Sequence, residues 1–320
     1  MNPELFLEDV LSAPDRLAVT LDSYAAADGP LSELSKGPAV ERVVLIGMGS
    51  SRFAALSAAT LLASRGVAVS VEYASTVRPQ PPARGTVAVG ISASGETAET
   101  VAALERHANV STTVALTNVP GSSIESVAEI VLPLLSGPEP GGVACVSFQS
   151  TLAVLLLLAQ RLTPDVAPVD LRAAVDLSRE LRARRSDWLD DLAALVGDGE
   201  LTQATAPSHR ISSALQSALM LREGPRLNAS AAETGDWLHV DVYLTKRPGY
   251  RTLLFAGSDY DAGVIEWATS RNSPVIAVGR HVPGATLQVP IEAPSDEVAG
   301  LVEVGVTELV AAHLWIAQSG

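Results

Sequence analysis

A single cysteine, Cys145, in a chain of 320 residues excludes an internal disulfide framework and any cysteine-based metal cluster. The histidines, His107, His209, His239, His281 and His313, lack the close spacing of metal ligands, so no metal is implied, and nothing else in the sequence calls for a cofactor. Lysine is confined to Lys36 and Lys246, every other basic side chain being arginine. Arginine stays protonated, so chemistry through a Schiff base has at most two candidate amines. Positive charge is scarce altogether. The formal net charge of −14 argues against general nucleic-acid or anionic-membrane binding, because phosphate backbones and headgroups would be repelled over most of the surface. An anionic substrate would need a locally built site. Aromatic residues are few, at 4%, and the 47% hydrophobic content is carried by Ala, Val and Leu, as a buried α/β sheet requires. No apolar run reaches the roughly 18 residues of a membrane span, the run Leu152–Ala159 being about half of that. The amino terminus has neither the basic start nor the apolar core of a signal peptide. A cytoplasmic protein is expected.

What is present is an alternation of strand and helix patterns. Residues 3–25 read as an amphipathic helix with Leu5, Leu7, Val10, Leu11, Leu17 and Leu21 toward one side, suited to packing across a neighbour or a partner subunit. Strands follow at 43–46, 67–73, 87–91, 113–116 and 130–134, with helices between them to about residue 64, from 97 to about 107, and from about 147 onward. Such alternation implies a parallel sheet covered on both faces. At this length two lobes are expected. A charged helix, 171–195, reads as the linker, and Arg179, Arg182, Arg184 and Arg185 on it read as a solvated face.

The most informative segment is Ser92-Ala93-Ser94-Gly95-Glu96-Thr97, between the apolar run 86–91 and the helical pattern from Ala98. A strand that ends in a hydroxyl-rich turn at a helix start gathers free backbone N–H groups, the positive end of a helix dipole and side-chain O–H donors. That combination suits an anion. The turn has no lysine, unlike a P-loop, so a single sugar phosphate fits better than a nucleotide. The alternative is that Ser94 or Thr97 merely caps the helix. A second loop of the same kind, Gly47-Met48-Gly49-Ser50-Ser51, follows the strand at 43–46. In an open parallel sheet such loops lie together at the carboxyl ends of the strands, where ligands bind.

These two loops, together with Leu116-Thr-Asn118, Pro120-Gly-Ser-Ser123, Gly137-Pro-Glu139 and Gly142-Val-Ala144, occur in the order and spacing of sugar isomerase (SIS) domains. The chain resembles the double-SIS isomerase half of glucosamine-6-phosphate synthase and its stand-alone relatives, strongly over about residues 40–160 and weakly beyond. The resemblance implies an α/β fold of two tandem SIS domains, each a parallel flavodoxin-like sheet in an α-β-α sandwich. The corresponding division is a helical segment 1–35, a first, phosphosugar-binding domain 36–165, a linker helix 166–198 and a diverged second domain 199–320. It further implies that Ser51, Ser92, Ser94 and Thr97 hold the substrate phosphate, that Gly49, Ser50, Ala93, Gly95, Val143 and Cys145 complete the substrate contacts, and that the protein pairs as a homodimer.

The second copy is offset by roughly 160 residues. Residues 251–258 parallel 85–92, and Val282-Pro-Gly284 parallels Val119-Pro-Gly121. Its counterpart of the hydroxyl-rich loop, Ser258-Asp-Tyr-Asp261, carries carboxylates that would repel a phosphate. Proton chemistry has two candidates here. Glu223 closes the helical stretch 212–223, and Arg222-Glu223 looks like the family's Lys-Glu pair, whose carboxylate moves a proton between sugar C1 and C2. An exposed C-terminal-turn glutamate is the alternative. His239, after Glu233, resembles the family's ring-opening histidine at a longer spacing, the alternative being a packed structural residue.

The sequence departs from the pattern at Ala93, where the family has Gln; at Met220, where it has Lys; and at Cys145, where it has a hydroxyl; the family's carboxyl-terminal lysine tail is not expected. A glutamine-dependent synthase is not expected, since the sequence shows no glutaminase pattern with an N-terminal cysteine. Two functions are therefore expected as the main alternatives. One is an aldose–ketose isomerase, deaminase or deglycase acting on an amino-sugar phosphate; the other is a non-catalytic phosphosugar-binding sensor, and a lesser third is a lyase or epimerase of the same fold acting on an N-acetylated acid sugar.

Overall fold

Runs of Val, Ile and Leu dominate the centre of the first sheet because both of its faces are covered. The computed structural model describes residues 1–26, 29–36 and 40–319. Its strands are β1 (Arg42–Gly47), β2 (Ala68–Tyr73), β3 (Thr86–Ile91), β4 (Thr112–Thr117) and β5 (Ile130–Pro133), then β6 (Leu201–Ala206), β7 (Ala229–Glu233), β8 (Tyr250–Phe255), β9 (Val275–Gly279) and β10 (Leu287–Pro290). The helices are α1 (Pro3–Tyr24), α2 (Gly49–Ser64), α3 (Ala98–Glu105), α4 (Val146–Leu162), α5 (Ala173–Ala183), α6 (Leu189–Gly197), α7 (Ile211–Glu223), α8 (Thr234–Trp237), α9 (Asp261–Thr269), α10 (Asp296–Val302) and α11 (Val304–Ser319).

Two all-parallel five-stranded sheets result, in the orders β2-β1-β3-β4-β5 and β7-β6-β8-β9-β10. Both have the 2-1-3-4-5 sequence of a flavodoxin-like sheet, whose switch point lies between its first and third strands. The chain divides into two compact units. The first unit comprises Asp15–Pro138 and Val146–Val169; the second comprises Met1–Pro14, Glu139–Cys145 and Asp170–Gly320.

In the first unit every residue of β3 is buried, as are five of the six in each of β1 and β4. The later half of α1 is fastened to the chain at and beyond β5. Arg16 Nη1 donates to the Ser136 carbonyl at 2.9 Å, Thr20 Oγ1 to Leu134 O at 2.7 Å and Tyr24 OH to Pro133 O at 2.9 Å. In the second unit α7 lies on β6 and β7, α11 packs on α7, and Trp237, Tyr250, Leu254 and Val264 anchor the core.

Three expectations from sequence are corrected. The buried stripe of α1 is Phe6, Val10, Ala13, Leu17 and Leu21, a strict three-or-four-residue spacing, whereas Leu11 is exposed. The charged segment is not one helix: α5 ends at Ala183, a short 3-10 turn spans Arg185–Asp187, and α6 starts at Leu189 after the buried Trp188. Nor are all its arginines solvated. Arg179 and Arg184 pair on the surface with Asp176 and Glu180, but Arg182 is buried, with Nε donating to Val10 O at 2.8 Å and Nη2 lying 3.8 Å from Glu308. The stretch Asp296–Ser319 has the length and mean hydropathy of a membrane span, which its lack of a long unbroken apolar run conceals. Within the fold 72% of its apolar window is buried, which is the packing of core helices.

Candidate functional site

Strands β1 and β3 are neighbours with Gly47 in register with Ile91, so the loops leaving them start side by side at the switch point of the first sheet. The first loop is shorter than the sequence suggests. Helix α2 begins at Gly49, inside the segment Gly47–Ser51 that the sequence reads as a loop, so Gly49, Ser50 and Ser51 form its opening turn, whose N–H groups have no intrahelical acceptor. Gly49 has φ +50°, which glycine adopts without cost.

The second loop is a cluster of hydroxyls. Ser92 Oγ lies 3.0 Å from Thr97 Oγ1 and 3.5 Å from Ser94 Oγ. Ser92 Oγ accepts from Gly95 N–H at 3.1 Å, and Ser94 Oγ accepts from Glu96 N–H at 3.2 Å. Thr97 is the residue before α3, and its side chain makes no hydrogen bond to that helix, which removes the simple capping reading for it. The turn requires Gly95. Its φ is +69°, and a Cβ there would stand 1.9 Å from Ser122 Oγ. The loop is fixed from its other side as well: Asn118 N–H donates to Ala93 O at 3.0 Å, and Glu96 accepts from both Ser123 N–H and Ser123 Oγ. Those contacts hold the Glu96 carboxyl below its ordinary range. Asn118 was no site candidate in the sequence. It binds the chain beyond β5, donating to Gly137 O at 2.7 Å and accepting from Ser136 N–H at 2.9 Å. Its place directly after β4 was the available signal.

Ser51, Ser92, Ser94, Thr97, Gly49, Ser50, Ala93 and Gly95 thus all sit in the first unit. The other candidates, Val143, Cys145, Glu223 and His239, sit in the second. Val143 and Cys145 are buried, and Cys145 N–H donates to Glu139 Oε1 at 2.8 Å. Gln216 of α7 donates to Ala144 O at 2.7 Å, tying this loop to the helix that ends in Glu223. Glu223 is partly buried rather than fully exposed, and burial raises its pKa against the lowering pull of Arg222 and Arg226. Met220, on the same helix, is buried at 0% exposure. His239 is exposed on the turn after α8, so it is not a packed core histidine.

In the counterpart loop of the second sheet a side-chain carboxylate takes up a backbone N–H group. Gly257 N–H donates to Asp261 Oδ2 at 2.7 Å, and Arg210 Nη2 donates to Ala256 O at 2.6 Å.

Residues 39–161 match the SIS domain family. The glutamine–fructose-6-phosphate aminotransferase (isomerizing) of Pyrobaculum aerophilum is 29% identical over 276 residues, covering 82% of this chain and 44% of that protein. The chain thus spans less than half the length of that curated relative. Among solved structures, the C-terminal domain of glucosamine-fructose-6-phosphate aminotransferase from Francisella tularensis superposes with a TM-score of 0.87 at 20% identity, covering 98% of this chain and 96% of the other. Glucosamine-6-phosphate deaminase from Thermotoga maritima superposes with a TM-score of 0.75 at 17% identity, covering 98% and 95%. Likeness at such identities establishes the shared fold.

Proposed function

From a chain that carries a SIS domain over residues 39–161, we propose a protein that binds a phosphorylated sugar, an amino-sugar phosphate foremost, and acts on it as an aldose–ketose isomerase or as a deaminase or deglycase. One observation carries this reading: two hydroxyl-bearing loops start side by side at the switch point of a parallel sheet, one opening directly into a helix and neither carrying a lysine. Ser51, Ser92, Ser94 and Thr97 hold the phosphate, with Gly49, Ser50, Ala93, Gly95, Val143 and Cys145 around the sugar. Glu223 moves the proton between C1 and C2, a role supported by the burial that raises its proton affinity. His239 assists ring opening. The second unit carries a diverged second SIS copy at 199–320, a reading supported by its matching strand order. Homodimer assembly belongs to the same proposal. Val240, Tyr243, Tyr260 and Trp267, exposed in the unit that carries His239, support it.

Buried Met220, at the position of the family's lysine, favours a second reading, a sensor that binds without turnover. The test is titration with hexose and hexosamine 6-phosphates by calorimetry, with proton exchange at C2 followed by NMR in deuterated water. Heat of binding is expected in the wild type and in Glu223→Gln, lost in the Ser94→Ala/Thr97→Val double variant, with exchange in the wild type alone. Binding without exchange in the wild type establishes the sensor, and no heat with any phosphosugar overturns both readings.

A further inference from the structure

The switch point of the second sheet lies between β6 and β8, and its surroundings differ in chemistry from those of the first. Hydroxyls are replaced by guanidinium groups. A cavity of about 220 Å³ opens above the carboxyl ends of β8, β9 and β10, next to Arg210 from the turn after β6. Ala256, Ile291, Ala293, Pro294 and Ala299 give it an apolar wall, and Arg210, Arg280, Ser295, Asp296 and Glu303 give it polar groups.

Arg210 is buried, with 3% of its side chain exposed. Its Nη1 pairs with Glu303 and its Nη2 donates to Ala256 O, so the guanidinium is anchored from behind. Its Nε is different: it lies 3.3 Å from Asp296 Oδ1 but makes no hydrogen bond. Asp296 is approached by two more nitrogens, Arg280 Nη2 at 3.5 Å and His209 Nε2 at 3.3 Å. One carboxylate is therefore shared among two guanidinium groups and an imidazole, each at the outer limit of a good contact. Ser295 Oγ accepts from Val298 N–H, which leaves its hydroxyl proton for another acceptor. Arg210 Nε–H, the Arg280 guanidinium and the Ser295 hydroxyl are donors, and a planar or tetrahedral oxyanion in the cavity would satisfy them better than Asp296 does.

We propose that this cavity is a second binding site, for a compact oxyanion-bearing ligand, and that Asp296 is the internal anion such a ligand displaces. Asp296 has somewhere to go, since 39% of its side chain is already exposed, whereas Glu303 is sealed at 1% and stays with Arg210. The ligand's anionic group meets Arg280 and the Nε edge of Arg210. Its body lies on the wall of Ile291, Ala293 and Pro294.

The experiment titrates inorganic phosphate and, separately, succinate into the intact chain by calorimetry, in a Ser94→Ala/Thr97→Val background that silences the first sheet's crevice. Saturable binding is expected for one of the two anions, which distinguishes a phosphate from a carboxylate ligand. Asp296→Asn removes the internal competitor and is expected to tighten binding at least about tenfold. Arg280→Ala is expected to weaken it by about the same factor, the effect of one charge-assisted hydrogen bond. With 69% of its side chain exposed, Arg280 is replaceable without unfolding the chain, so this variant decides the matter even if Asp296→Asn folds poorly. Absence of saturable binding in the Asp296→Asn protein, or binding indifferent to Arg280→Ala, overturns the proposal. The phosphosugar reading is untouched by that result, because its own variants lie in the first unit.

Discussion

Gly95 concentrates the demands of the hydroxyl-rich loop at one residue. Its left-handed φ and the Ser122 hydroxyl behind it leave no position for a side chain. Gly95→Ala should therefore lower stability by roughly 1–3 kcal/mol, through backbone strain and displacement of Ser122. It should also weaken phosphosugar binding, since the hydrogen bond from Gly95 N–H orients Ser92 Oγ. Thermal melting and calorimetry on the same preparation check both effects. A variant that melts as the wild type does and binds normally would show that the turn relaxes freely. Arg182 teaches the opposite lesson. Its sequence neighbours are surface arginines, and nothing in their charge pattern sets it apart; only the fold, by placing Val10 and Glu308 beside it, makes it a core residue.

At the scale of elements, α5 and α11 are joined by that Arg182–Glu308 pair. Burial pushes the Glu308 carboxyl up to about 7, with Arg182 pulling it down and Glu139 raising it further. A carboxyl that holds its proton more tightly folded than unfolded favours the fold while it is protonated. Stability should thus fall as pH rises from about 4.5 to about 7, by at most ~3 kcal/mol. Melting temperatures across that window should fall more steeply in the wild type than in Glu308→Gln, the other raised carboxyls, Glu223, Asp241, Asp261 and Glu303, being common to both. The strands of the first sheet were legible because β1, β3 and β4 are buried on both faces and so read as unbroken apolar runs. Strand β6, Leu-Thr-Gln-Ala-Thr-Ala, was not. It is as buried as the others, but it carries Thr202, Gln203 and Thr205 inward, and Gln203 is paired internally, donating to Asp241 and accepting from Ser230. The two crevice loops were legible as strand, turn and helix signals. The opening of α2 at Gly49 was hidden because glycine and serine read as loop residues. The cavity beside Arg210 left no trace in the sequence, since its residues come from five separate turns and helices that the topology alone assembles.

At the scale of the whole molecule, a net charge of −14 surrounds a crevice that is proposed to receive a dianion. Like charges slow encounter, and salt screens them over about 30 Å at 0.01 M but about 8 Å at 0.15 M. The association rate of a sugar phosphate should therefore rise with ionic strength across that range. Stopped-flow mixing checks this, and a falling rate would mean that local positive potential governs capture instead. Finally, the polypeptide passes between its two units four times, at Pro14, Pro138, Cys145 and Val169. Neither unit is a continuous stretch of sequence, and severing the backbone at one point cannot liberate either of them whole. Insertions, fusions and tags are best accommodated away from these crossings, because a lengthened crossing burdens two bodies at once.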